Sequence, residues 1–126
     1  MARVPIVHLG DVLIASVQED LTDRDAALLQ EELNGLVERT GARGVLLDVS
    51  LLQIIDSFLG RMLHDIASGA RLLGAQTVVV GIQPAVAVTL VELGLELRGV
   101  RTALNPDRGM ALLGRLLSRE RARGGG

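Results

Sequence analysis

Two short runs constrain this chain more than anything else in it. Val45-Leu46-Leu47-Asp48-Val49 and Thr77 to Ile82 are apolar, rich in β-branched residues and almost without a polar face. Strands of that kind need cover on both sides, a condition met in a parallel sheet flanked by helices. The segments that follow have the spacing such cover requires. After the first run, Leu59, Met62, Leu63, Ile66, Ala70 and Leu73 keep a helical period, and Gly74 supplies a stop. After the second, Pro84 suits the first turn of a shorter helix running to about Gly94, because its missing N–H has no partner to lose there.

The flanking segments extend the pattern. Two apolar stretches between Val4 and Val17 surround the turn-prone pair Gly10-Asp11 and predict an antiparallel hairpin. Thr22 stands as an N-cap, with Asp25 at capping-box spacing and Leu21 placed as a staple. Leu29, Leu33, Leu36 and Val37 then recur at helical spacing, and Gly41 and Gly44 close the segment. Val100 to Leu104 predicts a small edge strand, and Asn105-Pro106 opens a last helix carrying Leu112, Leu113, Leu116 and Leu117. The order β-β-α-β-α-β-α-β-α predicts one α/β domain over residues 1–120, with a mostly parallel central sheet, an antiparallel N-terminal edge strand and about four helices. Residues 121–126 are expected to form a flexible Arg/Gly-rich tail. In such a sheet functional groups gather beyond the carboxyl ends of the strands, here Asp48 to Ser57 and Gly81 to Thr89.

Composition removes whole classes of chemistry. All 13 basic residues are arginine, so there is no P-loop lysine, Schiff-base lysine or lysine general base. Tyrosine and tryptophan are absent and Phe58 is the sole aromatic, which leaves no stacking platform for single-stranded nucleic acid. A net charge of -2 gives no broad basic surface for a phosphate backbone. The Arg-rich stretch from Arg115 to Arg123 reads as a complement to a helix dipole or as solvated charge. Without cysteine there are no disulfides, thiolate nucleophiles or thiolate metal ligands. Met1 to Gly10 lacks the apolar region of a signal peptide, and no apolar run approaches the about 20 residues of a membrane helix. The expectation is a cytoplasmic protein with no membrane or nucleic-acid partner.

Enzyme constellations fail on spacing. His8 and His64 belong to an early strand and a mid-helix position, with no third ligand at metal-type spacing, and His64-Asp65 reads as solvated or locally bonded. The pairs Asp23-Asp25 and Glu31-Glu32 read as solubilising charges on the first helix. Neither GxGxxG, GxxxxGK[ST] nor a Gly-x-Ser-x-Gly elbow occurs. A triad of Ser57, His64 and Asp65 would need a contact across two helical turns, roughly 10 Å. Asp48 at a strand end lacks the acidic pair and the lysine that a phospho-accepting receiver aspartate needs, and is expected to be hydrogen-bonded there. No cofactor is implied.

One polar feature keeps its interest. In Leu51-Leu52-Gln53-Ile54-Ile55-Asp56-Ser57-Phe58-Leu59-Gly60-Arg61 a serine stands where a buried strand gives way to a helix. A phosphate added there meets unpaired backbone N–H groups and the positive end of a helix dipole. Spacing alone equally allows a plain helix cap.

Gly44-Val45-Leu46-Leu47-Asp48-Val49-Ser50, followed by Ile54-Ile55-Asp56-Ser57-Phe58, resembles the core signature of STAS domains, the fold of anti-anti-sigma factors. The stretch from Gly81 to Gly94 is similar to the stressosome branch of that family. The chain, which has no N-terminal sensor domain in this sequence, resembles RsbS-type scaffold subunits more than their RsbR-type partners. The likeness spans Pro5 to Leu117.

This resemblance implies a phospho-switch in place of catalysis. The acceptor would be Ser57, modified by an RsbT-type serine kinase and restored by an RsbX-type phosphatase, and Thr89 is a second, weaker candidate. Asp56, Phe58, Gly60 and Arg61 would form the partner surface, with Asp56 capping the helix or orienting the serine. The protein would pair with itself and with RsbR-type STAS paralogues in a large closed shell that holds the kinase until Ser57 is phosphorylated. The alternatives are a free-standing anti-anti-sigma factor that binds an anti-sigma kinase directly and, less in keeping with the motifs, a small hydrolase or nucleotide-binding domain.

Overall fold

The computed structural model describes residues 4–94 and 100–124. Its elements are β1 (Ile6–Leu9), β2 (Val12–Ser16), α1 (Asp23–Thr40), β3 (Gly44–Asp48), α2 (Ser57–Leu72), β4 (Gln76–Val80), α3 (Pro84–Glu92), β5 (Arg101–Ala103) and α4 (Pro106–Gly124). The five strands form one sheet in the order β1-β2-β3-β4-β5. β1 is antiparallel to β2, and the other neighbours run parallel. This is the α/β order expected from the hydrophobic pattern.

Alternation along β3 and β4 explains where the helices lie. Val45, Leu47 and Val79 join Leu13, Ala15 and the buried faces of α1, α2 and α3 in one cluster. Leu46, Val78 and Val80 point the other way and pack with Val12 and Leu113 of α4. Both central strands are thus apolar on both faces, with α1 to α3 on one side and α4 on the other. Thr22 caps α1 through the expected capping box, so Asp25 is a structural cap as well as a charge. At the other end, Gly41 adopts the left-handed conformation and donates its amide to the Val37 carbonyl.

Three details differ from the sequence reading. Leu73 is 43% exposed, because α2 ends at Leu72 and the chain turns at Gly74 with φ of 88°. β4 stops at Val80, ahead of Ile82, because Gly81 turns the backbone with φ of 78°. α4 continues to Gly124, beyond residue 120, while residues 125–126 lie outside the described residues. No helix among the described residues is long and apolar enough to cross a membrane.

α4 is fastened at the end of the sheet away from the carboxyl rim. Glu120 accepts hydrogen bonds from Gln76 Nε2 at 2.6 Å and from Arg43 at 2.9 Å, and Arg121 pairs with Asp11 at 2.9 Å. The hydrogen bond from Gln76, followed by that from Arg43, holds the Glu120 carboxyl below its ordinary pKa. Nearer the rim, α4 lies directly on the strands. A Cβ at Gly109 would stand 2.5 Å from Val80 Cγ1 and 2.8 Å from Leu46 Cδ1. Gly109→Ala is therefore expected to destabilise the fold by about 1–3 kcal/mol through overpacking, outweighing the better helix propensity of alanine. Urea unfolding checks this, and Gly114→Ala, where a Cβ meets nothing within 4 Å, is the control.

Candidate functional site

The segment leaving β3 is irregular but closely held. Val49, Leu52 and Ile55 are buried, while Leu51 and Ile54 between them are exposed. The Asp48 carboxylate accepts the Ser50 amide at 2.9 Å, and the Leu52 amide donates to the Val49 carbonyl at 3.0 Å. From the β2–α1 connection, Glu19 accepts the Gln53 amide at 3.2 Å. From the β4–α3 connection, Gln83 Nε2 donates to the Ser50 carbonyl at 2.7 Å. Gly81 lies against the same residue: a Cβ there would stand 2.8 Å from Ser50 Cβ and 3.1 Å from its Cα and N. The loop is thus gripped by the connections on either side.

At its end Asp56 is the N-cap of α2, extended at φ of -111° and ψ of 177°, with Oδ1 accepting the Leu59 amide at 2.9 Å. That answers the question the spacing left open: the cap is Asp56, and Ser57 is the first residue of the helix. Ser57 is exposed, and its hydroxyl makes no hydrogen bond among the described residues. The amides of Ser57 and Phe58 are among those a helix leaves unpaired at its start. Phe58 is 39% exposed, and Arg61 is exposed one turn on. Gly60 corrects the expectation that it contributes partner surface: it is buried, and its amide is bonded to the Asp56 carbonyl.

Thr89 stands on α3, half-buried, and its hydroxyl donates to the Ala85 carbonyl at 3.0 Å. Its oxygen is engaged with its own helix, whereas that of Ser57 is not. His64 lies 3.5 Å from Asp65 in a local contact on α2. Among the described residues no group of three histidines or carboxylates is placed to hold a metal ion. Glu19 and Gln83 were not singled out by sequence reasoning, since a lone glutamate and a lone glutamine in loops carry no pattern. The close approach at Gly81 had a partial signal in a glycine directly after a buried strand.

A five-stranded sheet with three helices on one face and one on the other, and an exposed serine opening the helix after β3, define the class of domain. The chain belongs to the STAS-domain family, whose profile matches residues 3–105. RsbS of Moorella thermoacetica, solved as a serine-to-glutamate variant, is 39% identical with a TM-score of 0.82, covering 93% of this chain and 99% of that one. A chain of the solved molecular architecture of the stressosome, a signal integration and transduction hub, is 40% identical with a TM-score of 0.79, covering 90% of this chain and 98% of its own. The RsbT co-antagonist protein RsbRA of Bacillus subtilis strain 168 is 30% identical over 104 residues, which is 74% of this chain and 38% of that relative. The chain therefore spans less than half the length of that curated relative.

The grip on Ser50 generates a prediction. Gly81→Ala is expected to push the β3–α2 loop away and raise hydrogen-exchange rates of the Ser50 to Asp56 amides at least about tenfold, a loss of roughly 1.4 kcal/mol of local protection. Gly94→Ala, also at positive φ but with open space around it, should leave those amides unchanged.

Proposed function

We propose that this chain is a non-enzymatic subunit of a stressosome-type assembly that holds an RsbT-type serine kinase and releases it once Ser57 carries phosphate. The observation that carries this reading is an exposed serine hydroxyl, unbonded among the described residues, at the start of the helix that follows a tightly held loop, in a chain 39–40% identical to RsbS and to a stressosome chain over at least nine-tenths of its length. The Moorella relative was solved with glutamate in place of a serine, a change that puts a carboxylate where a hydroxyl stood. In this reading the domain acts in the cytoplasm and forms homodimers within a large shell. It assembles with RsbR-type paralogues, of which the RsbT co-antagonist RsbRA is the related example. An RsbX-type phosphatase resets Ser57.

The physical basis is a change of surface with little change of fold. Phosphorylation adds about −1.5 to −2 charges and three acceptor oxygens. The start of α2 accommodates them, while Asp56 beside it adds repulsion. A neutral patch of Ser57 and Phe58, with exposed Leu51 and Ile54 nearby in the chain, suits a protein partner that buries it. A dianion in the middle of that patch opposes desolvation and weakens the interface. Thr89 ranks second as an acceptor because its hydroxyl must first give up the bond to Ala85.

Mixing the chain with an RsbT-type kinase and ATP should place one phosphate on Ser57, seen by peptide mass spectrometry and absent from Ser57→Ala. Ser57→Asp should bind the kinase roughly tenfold or more weakly than the unmodified chain. With an RsbR-type partner the mixture should elute as a very large particle. No phosphate on Ser57, or equal kinase affinity for Ser57→Asp, contradicts the proposal.

A further inference from the structure

Beside Ser57 lies a shallow groove between α1 and α2 of about 140 Å³, floored by Ala26, Ala27, Phe58 and Met62. Its charged lining is Asp23 from α1 with Arg61 and Asp65 from α2. Arg61 is the only cation there, and it makes no ion pair or hydrogen bond among the described residues. Elsewhere Arg43 is bonded to Glu120 and Arg121 to Asp11. The nearest acid along its own helix, Asp65, follows Arg61 by one turn, the less favourable order for an i, i+4 pair, and sits 3.5 Å from His64 Nδ1.

Ser57 precedes Arg61 by four residues, so the two side chains share one face of α2. A negative group at position 57 is then on the favourable, N-terminal side of the arginine. We propose that Arg61 is the residue through which phosphate on Ser57 changes the α1–α2 groove. The phosphate draws the guanidinium toward the start of α2, in a charge-assisted contact that neutral serine does not offer. The groove loses its one cation and keeps Asp23 and Asp65. A partner seated across Ser57 and the groove therefore meets a new dianion and two carboxylates that are no longer offset, a larger electrostatic change than the phosphate alone. This inference rests on Ser57 being the modified residue.

The test uses the full chain with phosphoserine installed at position 57 during synthesis, so it needs no kinase. Phosphorus NMR follows the second ionisation of the phosphate, ordinarily near pH 6. The charged groups nearest it along the chain are Asp56 at the cap and Arg61 one turn on in α2, while Asp23 of α1 and Asp65 of α2 line the groove beyond, with His64 beside Asp65. A neighbouring cation favours the dianion and lowers this pKa, so Arg61→Gln should raise it by about 0.15–0.4 unit. Arg61→Lys should restore part of the shift, and Asp65→Asn should lower the pKa by removing a competitor for the guanidinium. Arg24→Gln, outside the groove lining, should leave it unchanged. Circular dichroism verifies that each variant is folded. A phosphate pKa that ignores Arg61→Gln in a folded protein overturns Arg61's part while leaving the Ser57 switch intact. Failure of a kinase to modify Ser57 defeats the switch itself and leaves this titration readable.

Discussion

The candidate site depends on a contact that leaves no room for a methyl group. Gly81, at φ of 78°, brings the end of β4 onto Ser50, and Gln83 completes the approach by donating to the Ser50 carbonyl at 2.7 Å. The loop before α2 is an irregular segment with exposed Leu51 and Ile54, and left to itself it has little reason to adopt one shape. Pressed between the Gly81 turn and Glu19, and pinned from within by Leu52 and Ile55, it delivers Asp56 to the cap position and Ser57 to the surface. The two segments that resemble the family in sequence are thus one unit in space.

That unit is mounted on a sheet whose rigidity comes from its core. β3 and β4 are buried on both faces, so helices must cover both, and the chain can expose functional groups only at the strand ends. The polar ties of α4, from Glu120 and Arg121, gather at the ends where β2, β3 and β4 begin. The opposite rim carries the β3–α2 loop and Ser57 at the start of α2. The polar ties of α4 and the candidate site therefore occupy opposite ends of the same strands.

Much of this was legible in the sequence because it follows from period and punctuation. The doubly apolar runs, the capping box at Thr22 and Asp25, and Pro84 opening α3 each have a local physical cause, and each stands where that cause puts it. The misplaced details turn on termination and burial. Leu73 continued an apolar stripe that the backbone had already left, and Gly60 follows an exposed serine by three residues yet is buried. Ser57 and Asp56 could both have capped α2 by composition, and only the extended backbone of Asp56 decides between them. The grips from Glu19 and Gln83 join residues 34 and 33 positions apart, a pairing that no local pattern encodes.

The central claim is that Ser57 switches a surface and leaves the fold unchanged. Amide ¹H–¹⁵N spectra of the unmodified chain and of the chain phosphorylated at Ser57 test it most directly. The account predicts shifts concentrated in the loop, the first two turns of α2 and the facing start of α1, with the amides of β2, β3, β4 and α4 unmoved. Changes running through the sheet or α4 would contradict it and point to a conformational switch.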